Sequence, residues 1–344
     1  MTTKVAFLFP GQGSQVVGMG ADIFASSTAA RGVFETVDDA LGIPLSRLCF
    51  QGPEDRLRET INAQPAIVTV SLAFLAALQE ALSPQTFSWS SPLTPSYTAG
   101  HSVGEYAALV ATGALDLVDA VRLVRIRGHL MHEEGKACTG GMAAVIGMDD
   151  EILQEICREA TQQSLLHAYP QGVTHPGQGR VVVANYNTPG QIVLSGEQRA
   201  LALATELAKA RGAKRVIPLS VSGAFHSPVM EPVIEGLSRA LATTDIHDVP
   251  IATFSNIRAT PLTTPQSIRE ELSQQVAKPV QWARTIEYCL HNGVNVFLEI
   301  GPGQALTAMV KRITKGVTTI TVGNASEVEK AMNMLREMDL VDSV

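Results

Sequence analysis

Short apolar runs that stop at glycine or proline, alternating with stretches of helical periodicity, constrain this chain more than any other feature. Val5–Phe9 is a compact apolar run ending at Pro10-Gly11, the pattern of a buried parallel strand meeting a turn. The run 97–99 (Tyr-Thr-Ala) ends at Gly100, a third run covers 215–221, and a fourth, 294–300, is stopped by Gly301-Pro302-Gly303. Between them apolar residues recur with a 3.6-residue period over 65–82, 103–114, 117–134, 198–211 and 266–276. Strands and helices in turn predict an α/β architecture around a mostly parallel central sheet.

One stretch breaks the rhythm. The segments 141–148 and 181–195 read as strands, the second as two strands joined by a Thr-Pro-Gly turn, with helical patterns at 150–163 and 198–211. That β-α-β-β-α series predicts a small ferredoxin-like α+β subdomain inserted over 139–209. The rest, 1–138 and 210–344, is expected to form one large hydrolase-like α/β subdomain, and 344 residues suffice for both. The turn-rich segments 83–96 and 168–179 read as surface loops.

Composition removes whole classes of function. With 45% hydrophobic and 17% charged residues the chain is neither disordered nor a charge-laced coiled coil. A net charge of −7 argues against gripping a phosphate backbone, so no nucleic acid partner is expected. Cys49, Cys138, Cys157 and Cys289 are far apart and form no C-x-x-C pair, which predicts neither a zinc ribbon nor a disulfide framework and fits a reducing cytoplasm. The opening apolar run is too short for a signal segment, and no membrane span is expected.

Gly100-His101-Ser102-Val103-Gly104 matches G-x-S-x-G between a strand signal and a helix signal. A sharp turn there would expose the Ser oxygen, and the helix N-terminus would offer amide N–H groups to an oxyanion. The alternative is a tight turn in which Ser102 only caps the helix. Of eight histidines, His101 adjoins the serine and should point elsewhere, whereas His226 lies on a turn after the run 221–225, downstream of the serine. That is where a general base sits in hydrolase-like folds, although an ordinary loop histidine fits as well. No acid is marked as a third partner. On the helix 117–134, periodicity puts Arg122 and Arg125 near one face and Arg127 off it. Arg127 reads either as a solvated helix residue, the plainer alternative, or as a clamp for a substrate carboxylate.

Seven motifs then occur in a telling order: Phe9-Pro10-Gly11-Gln12-Gly13-Ser14-Gln15, Gly100-His101-Ser102-Val103-Gly104-Glu105-Tyr106, Arg127-Gly128, Asn185-Tyr186-Asn187-Thr188-Pro189-Gly190-Gln191, Gly223-Ala224-Phe225-His226-Ser227, Pro279-Val280-Gln281-Trp282 and Glu299-Ile300-Gly301-Pro302-Gly303. From about residue 4 to 314 the chain resembles the malonyl-CoA:acyl carrier protein transacylases, including free-standing acyltransferases of fatty acid or polyketide synthesis.

The resemblance implies roles for the matching positions. Ser102 would take the acyl group as an ester and His226 would be its base. The imidazole would be oriented by a carbonyl at Gln275 rather than by an acid. Backbone N–H groups of Gln12 and Val103 would form the oxyanion hole, Arg127 would hold the malonyl carboxylate, and Phe225 would disfavour a 2-methyl branch. The implied partners are malonyl-CoA and an acyl carrier protein, with no bound cofactor or metal and the coenzyme A thioester as substrate. Two other outcomes stay open: an acyl hydrolase of the same fold that clears carrier proteins, and a non-catalytic assembly subunit. Because carrier proteins are usually acidic and this chain is too, docking would need a local basic surface, for which Lys209, Arg211, Lys214 and Arg215, or Lys311, Arg312 and Lys315, are available.

Overall fold

The computed structural model describes residues 3–83, 93–248 and 251–341, so most of the expected loop 83–96 lies outside it. Among the described residues ten strands run in chain order: β1 (Val5–Phe9), β2 (Tyr97–Gly100), β3 (Gly140–Ile146), β4 (Val181–Thr188), β5 (Gln191–Glu197), β6 (Arg215–Pro218), β7 (Ala252–Phe254), β8 (Pro261–Leu262), β9 (Val296–Ile300) and β10 (Thr318–Val322). They form a six-stranded sheet, β10-β9-β1-β2-β7-β8, and a four-stranded sheet, β4-β5-β3-β6.

In the large sheet every pairing is parallel except β7 with β8. β1 lies centrally with all five residues buried, as a continuous apolar run in a parallel sheet should be. Phe9 pairs with Gly100, so the C-terminal ends of β1 and β2 open side by side. That end of an α/β sheet is where ligands bind.

The helix Thr60–Leu82 is long and apolar enough to cross a membrane, but 94% of its most apolar window is buried within the fold. Apolar residues on all its faces are therefore accounted for by core packing. Pro65 lies inside it and lacks the N–H that would bond the Ile61 carbonyl. Arg125, on the helix Leu117–Ala137, supplies the missing donor: its Nη1 reaches Ile61 O at 2.6 Å and Asn62 Oδ1 at 2.8 Å. The two helices come close at Gly128, where a Cβ would stand 3.0 Å from Ile61 Cα and from Thr60 O. Arg122 is exposed while Arg127 is buried, so three arginines on one helix do three different things.

The small sheet is antiparallel throughout. Its βαββαβ succession, with helices Asp150–Ala168 and Gln198–Ala210, is the ferredoxin-like arrangement. One assignment changes. The run at 215–221 reads as a strand of the main body, yet Arg215–Pro218 pairs with β3 in the small sheet, which carries that sheet beyond residue 209. The apolar letters mislead because β6 is an edge strand, where Pro218 is tolerated, and all but Val216 are exposed. The other edge is stitched to the main body: Tyr186 N–H donates to Val280 O and Val280 N–H to Ala184 O. The segment 168–179 is strapped down rather than free, with His175 Nε2 2.7 Å from Glu134 Oε1 and Gly177 so close to Val229 that a Cβ would stand 2.5 Å from its Cα.

Arg125→Leu leaves the Ile61 carbonyl without a donor and is expected to destabilise the fold by about 1–3 kcal/mol, well beyond Arg122→Leu, by urea denaturation. Adding Pro65→Ala should recover part of the loss because the restored N–H again reaches Ile61 O. Equal losses for Arg125→Leu and Arg122→Leu would contradict the assignment.

Candidate active site

The turn after β2 is built by the absence of side chains. A Cβ on Gly100 would lie 1.9 Å from the Gly104 carbonyl carbon, one on Gly104 would lie 2.2 Å from Phe9 O, and one on Gly11 would lie 2.5 Å from His101 O. Only glycine permits this crossing of strand, turn and helix. The turn forces Ser102 into the left-handed region at φ 53°, which costs a non-glycine residue roughly 1–2 kcal/mol. Asn256 holds it there. Its Oδ1 accepts from the Ser102 N–H and its Nδ2 donates to Gly100 O, both at 2.7 Å.

His226 also sits in the left-handed region, at φ 57°, with its N–H bonded to Val276 O at 2.8 Å. Its Nδ1 lies 2.8 Å from Gln275 O and 3.1 Å from Lys278 O. Carbonyl oxygens only accept, so Nδ1 carries the proton and Nε2 is left to accept from Ser102 Oγ at 2.8 Å. Burial, and then the nearby Arg127 charge, lower the His226 pKa to about 3, so the imidazole is neutral at physiological pH.

Arg127 is 1% exposed, so it is not a solvated helix residue. Nη1 donates to Gln64 Oε1 at 2.6 Å, and Nη2 donates to Gln275 Oε1 at 2.9 Å and to Ser102 Oγ at 3.1 Å. Its Nε is buried with no partner among the described residues. The Tyr106 ring lies 6.0 Å from the guanidinium carbon, and burial pulls the Arg127 pKa down. The nearest acid acts at one remove: Gln275 Nε2 bonds Glu105 Oε2 while its Oε1 faces Arg127. Glu105 also accepts from Asn256 N–H at 3.2 Å, and burial beside Glu271 raises its pKa well above the ordinary value.

Gln12 Nε2 is tied to Thr60 Oγ1 at 3.1 Å. Among the described residues the backbone N–H groups of Gln12 and Val103 have no acceptor. His101 points away from Ser102 Oγ, with Nε2 2.9 Å from Asn187 Oδ1 and its ring against Trp282. A cavity of about 270 Å³ opens over Ser102. Its walls include Met142 and Val193 of the small sheet, Met131, Leu306 and the buried ring of Phe225.

The structure brings Ser102, His226, Arg127 and Gln275 into one hydrogen-bonded set, with Gln12, Val103 and Phe225 adjoining it. Sequence reasoning passed over Gln64, Glu105 and Asn256. Glu105 was within reach, following Gly104 directly, but Gln64 and Asn256 stand in stretches with no local chemical signal. Among the described residues no group of three or more His, Cys, Asp or Glu is placed to hold a metal ion.

The chain matches the acyl transferase domain family over residues 6–339. It is 42% identical over 335 residues to the malonyl CoA-acyl carrier protein transacylase of Bacillus subtilis (strain 168), covering 97% of this chain and 98% of that one. Identity to the protein of the same name from Escherichia coli (strain K12) is 37%, covering 96% and 100%. Among solved structures, the acyl-carrier-protein-S-malonyltransferase of Bartonella henselae superposes with a TM-score of 0.86 at 40% identity, covering 98% and 100%. A malonyl-transacylase solved with its type II PKS acyl-carrier protein gives 0.87 at 35%, covering 96% and 100%. Matched along nearly its whole length in sequence and in structure, the chain belongs to the acyl transferase family that contains the malonyl CoA-acyl carrier protein transacylases.

Proposed function

We propose that the chain moves a malonyl group from coenzyme A to the phosphopantetheine thiol of an acyl carrier protein, through an ester on Ser102. The observation that carries this reading is a serine bonded at once to a neutral imidazole and to a buried arginine with an unpartnered Nε. His226 Nε2 takes the Ser102 proton as Oγ attacks the thioester carbon, and the N–H groups of Gln12 and Val103 receive the oxyanion. Losing one such donor costs about 3 kcal/mol. The C–S bond breaks and the departing thiolate takes the proton from His226. The carrier thiol then repeats the steps in reverse, a ping-pong cycle that uses a Ser-His dyad and no resident cofactor. Gln275 O and Lys278 O replace the carboxylate of a triad, fixing the tautomer without adding charge.

Arg127 supports transfer of a carboxylate-bearing acyl group over the general clearing of acyl chains by hydrolysis. A plain acyl chain leaves the buried charge without a counter-ion, which supplies selectivity as well as affinity. Phe225, in the cavity wall, fits a role in limiting a 2-methyl branch. The four cysteines are free and buried, in keeping with a cytoplasmic setting.

A route for the pantetheine arm is written in the small sheet. Arg215 and Gln191 both pair with Ile146, so all three side chains share one face, the face on which Met142 and Val193 turn toward the cavity. Arg312 reaches across to Gln191 Oε1. Arg215 and Arg312, from two basic stretches some hundred residues apart, thereby flank the paired Ile146 and Gln191. From Arg215, alternate positions Ile217, Leu219 and Val221 follow, the last two lining the cavity. A cationic end that becomes apolar toward Ser102 suits a phosphate followed by a thiol-bearing arm.

Incubation with malonyl-CoA should add the mass of one malonyl group to the intact protein, and Ser102→Ala should abolish the gain. No gain, or an equal gain on the variant, refutes the mechanism. Because His226 acts neutral and its pKa lies at about 3, kcat/KM for malonyl-CoA should stay flat from pH 8 down to pH 5, with its acid limb lower still. A fall of about fivefold between pH 6.5 and 5.5 would show a base with an ordinary imidazole pKa. Reversing the rim with Arg215→Glu and Arg312→Glu should slow transfer to carrier protein by about tenfold or more while hydrolysis of the malonyl ester by water is unchanged. Unchanged transfer would place docking elsewhere.

A further inference from the structure

The guanidinium of Arg127 does not wait with its arms open. It has five N–H donors, and both protons of Nη2 are engaged, one by Gln275 Oε1 at 2.9 Å and one by Ser102 Oγ at 3.1 Å. Nη1 gives one proton to Gln64 Oε1, and the Nε proton is buried without an acceptor. A carboxylate held bidentately must use Nη2 in either fork, paired with Nε from the side or with Nη1 from the end. It cannot bind that way without displacing Ser102 Oγ or Gln275 Oε1.

The two are unequal. Gln275 is fully buried, and its amide is fixed at the other end by Ser102 O at 2.9 Å and by Glu105 Oε2. Turning it would set an N–H donor against the cation and an oxygen against a carboxylate. The Ser102 hydroxyl is held by His226 Nε2 whether or not Arg127 stays, and its bond to Arg127 is the longer of the two. Ser102 Oγ is therefore the ligand that yields.

We propose that the carboxylate of the acyl donor releases the nucleophile: on binding Arg127 it frees the Ser102 Oγ lone pair that the resting guanidinium occupies, so donors without a carboxylate meet a serine that is still held. This deepens the transferase reading and rests on it, since Ser102 must be the nucleophile. Selectivity then acts on the rate of acylation as well as on binding, an interaction that matters where bonds change. The electrostatics run the same way. Arg127 is, after burial, the largest influence lowering the His226 pKa, so neutralising it also returns basicity to the imidazole.

The test separates the carboxylate from the acyl group. A small neutral sulfonyl fluoride modifies an activated serine: the Oγ–S bond forms, S–F breaks, fluoride leaves and the serine proton passes to His226. The rate of that labelling is read by intact-protein mass, with formate as the free carboxylate and chloride at equal ionic strength as control. Formate should speed labelling of the wild type several-fold. Arg127→Gln should be labelled several-fold faster than wild type without formate and be indifferent to it. A wild-type rate that formate leaves unchanged or lowers, or Arg127→Gln labelled no faster than wild type while Ser102 remains the modified residue, overturns the proposal and leaves the transferase reading standing. Because the wild-type comparison needs no variant, a failure of Arg127→Gln to fold does not spoil it. Equal labelling of Ser102→Ala would overturn both readings.

Discussion

A positive charge buried behind the nucleophile, with no carboxylate touching it, is the condition the rest of the site is arranged around. Removing an ion from water costs several kcal/mol even after relaxation. Arg127 is compensated by neutral oxygens of Gln64, Gln275 and Ser102, by the Tyr106 ring, and by Glu105 beyond the Gln275 amide. A direct ion pair would have been the simpler solution. It would also have spent the guanidinium on an internal partner, leaving nothing for a ligand. Placing the Gln275 amide between Arg127 and Glu105 links the two without a direct ion pair and leaves the orphaned Nε unused.

Gln275 connects this arrangement to the histidine. Its backbone carbonyl accepts from His226 Nδ1 while its side chain accepts from Arg127 and donates to Ser102 O. Base, charge and serine thus hang from one residue in a short helical turn, Gln275–Ala277. Two residues held in left-handed backbone, Ser102 and His226, are tolerable because each is tied at its own N–H, to Asn256 Oδ1 and to Val276 O. Strain at a site persists only where the surroundings over-determine it. Glu271 adds to that determination by accepting from Ser255 Oγ and Ile257 N–H on either side of Asn256.

What could be read in the sequence was what local chemistry dictates. Gly100 and Gly104 flank Ser102 in G-x-S-x-G and mark the turn there in the sequence itself, whereas Gly11 is legible only as the end of a strand, its approach to His101 being tertiary. Runs such as Val5–Phe9 announce buried strands for the same reason. What escaped depends on distant partners. Arg122, Arg125 and Arg127 look alike within one helix, and only the proline in a neighbouring helix makes Arg125 a substitute hydrogen-bond donor. Gln64 and Asn256 are polar residues whose purpose is set by backbone and side chains up to 156 residues away. The strand Arg215–Pro218 reads like one of the main sheet because composition distinguishes poorly between a buried strand and an edge strand that leans on one neighbour.

The overall charge of −7 and an acidic partner are reconciled by distance. At physiological ionic strength a charge is largely screened beyond about 8 Å, so a partner close enough to react senses the rim and little of the far surface. Arg215 and Arg312, the latter held against Gln191, place positive charge on the face of the small sheet whose Met142 and Val193 line the cavity. Under that screening the rim acts only on a molecule already at the surface. An acidic chain with one basic border rewards the orientation that brings a phosphate to the border and the arm beyond it toward Ser102, which is a requirement on geometry rather than on affinity.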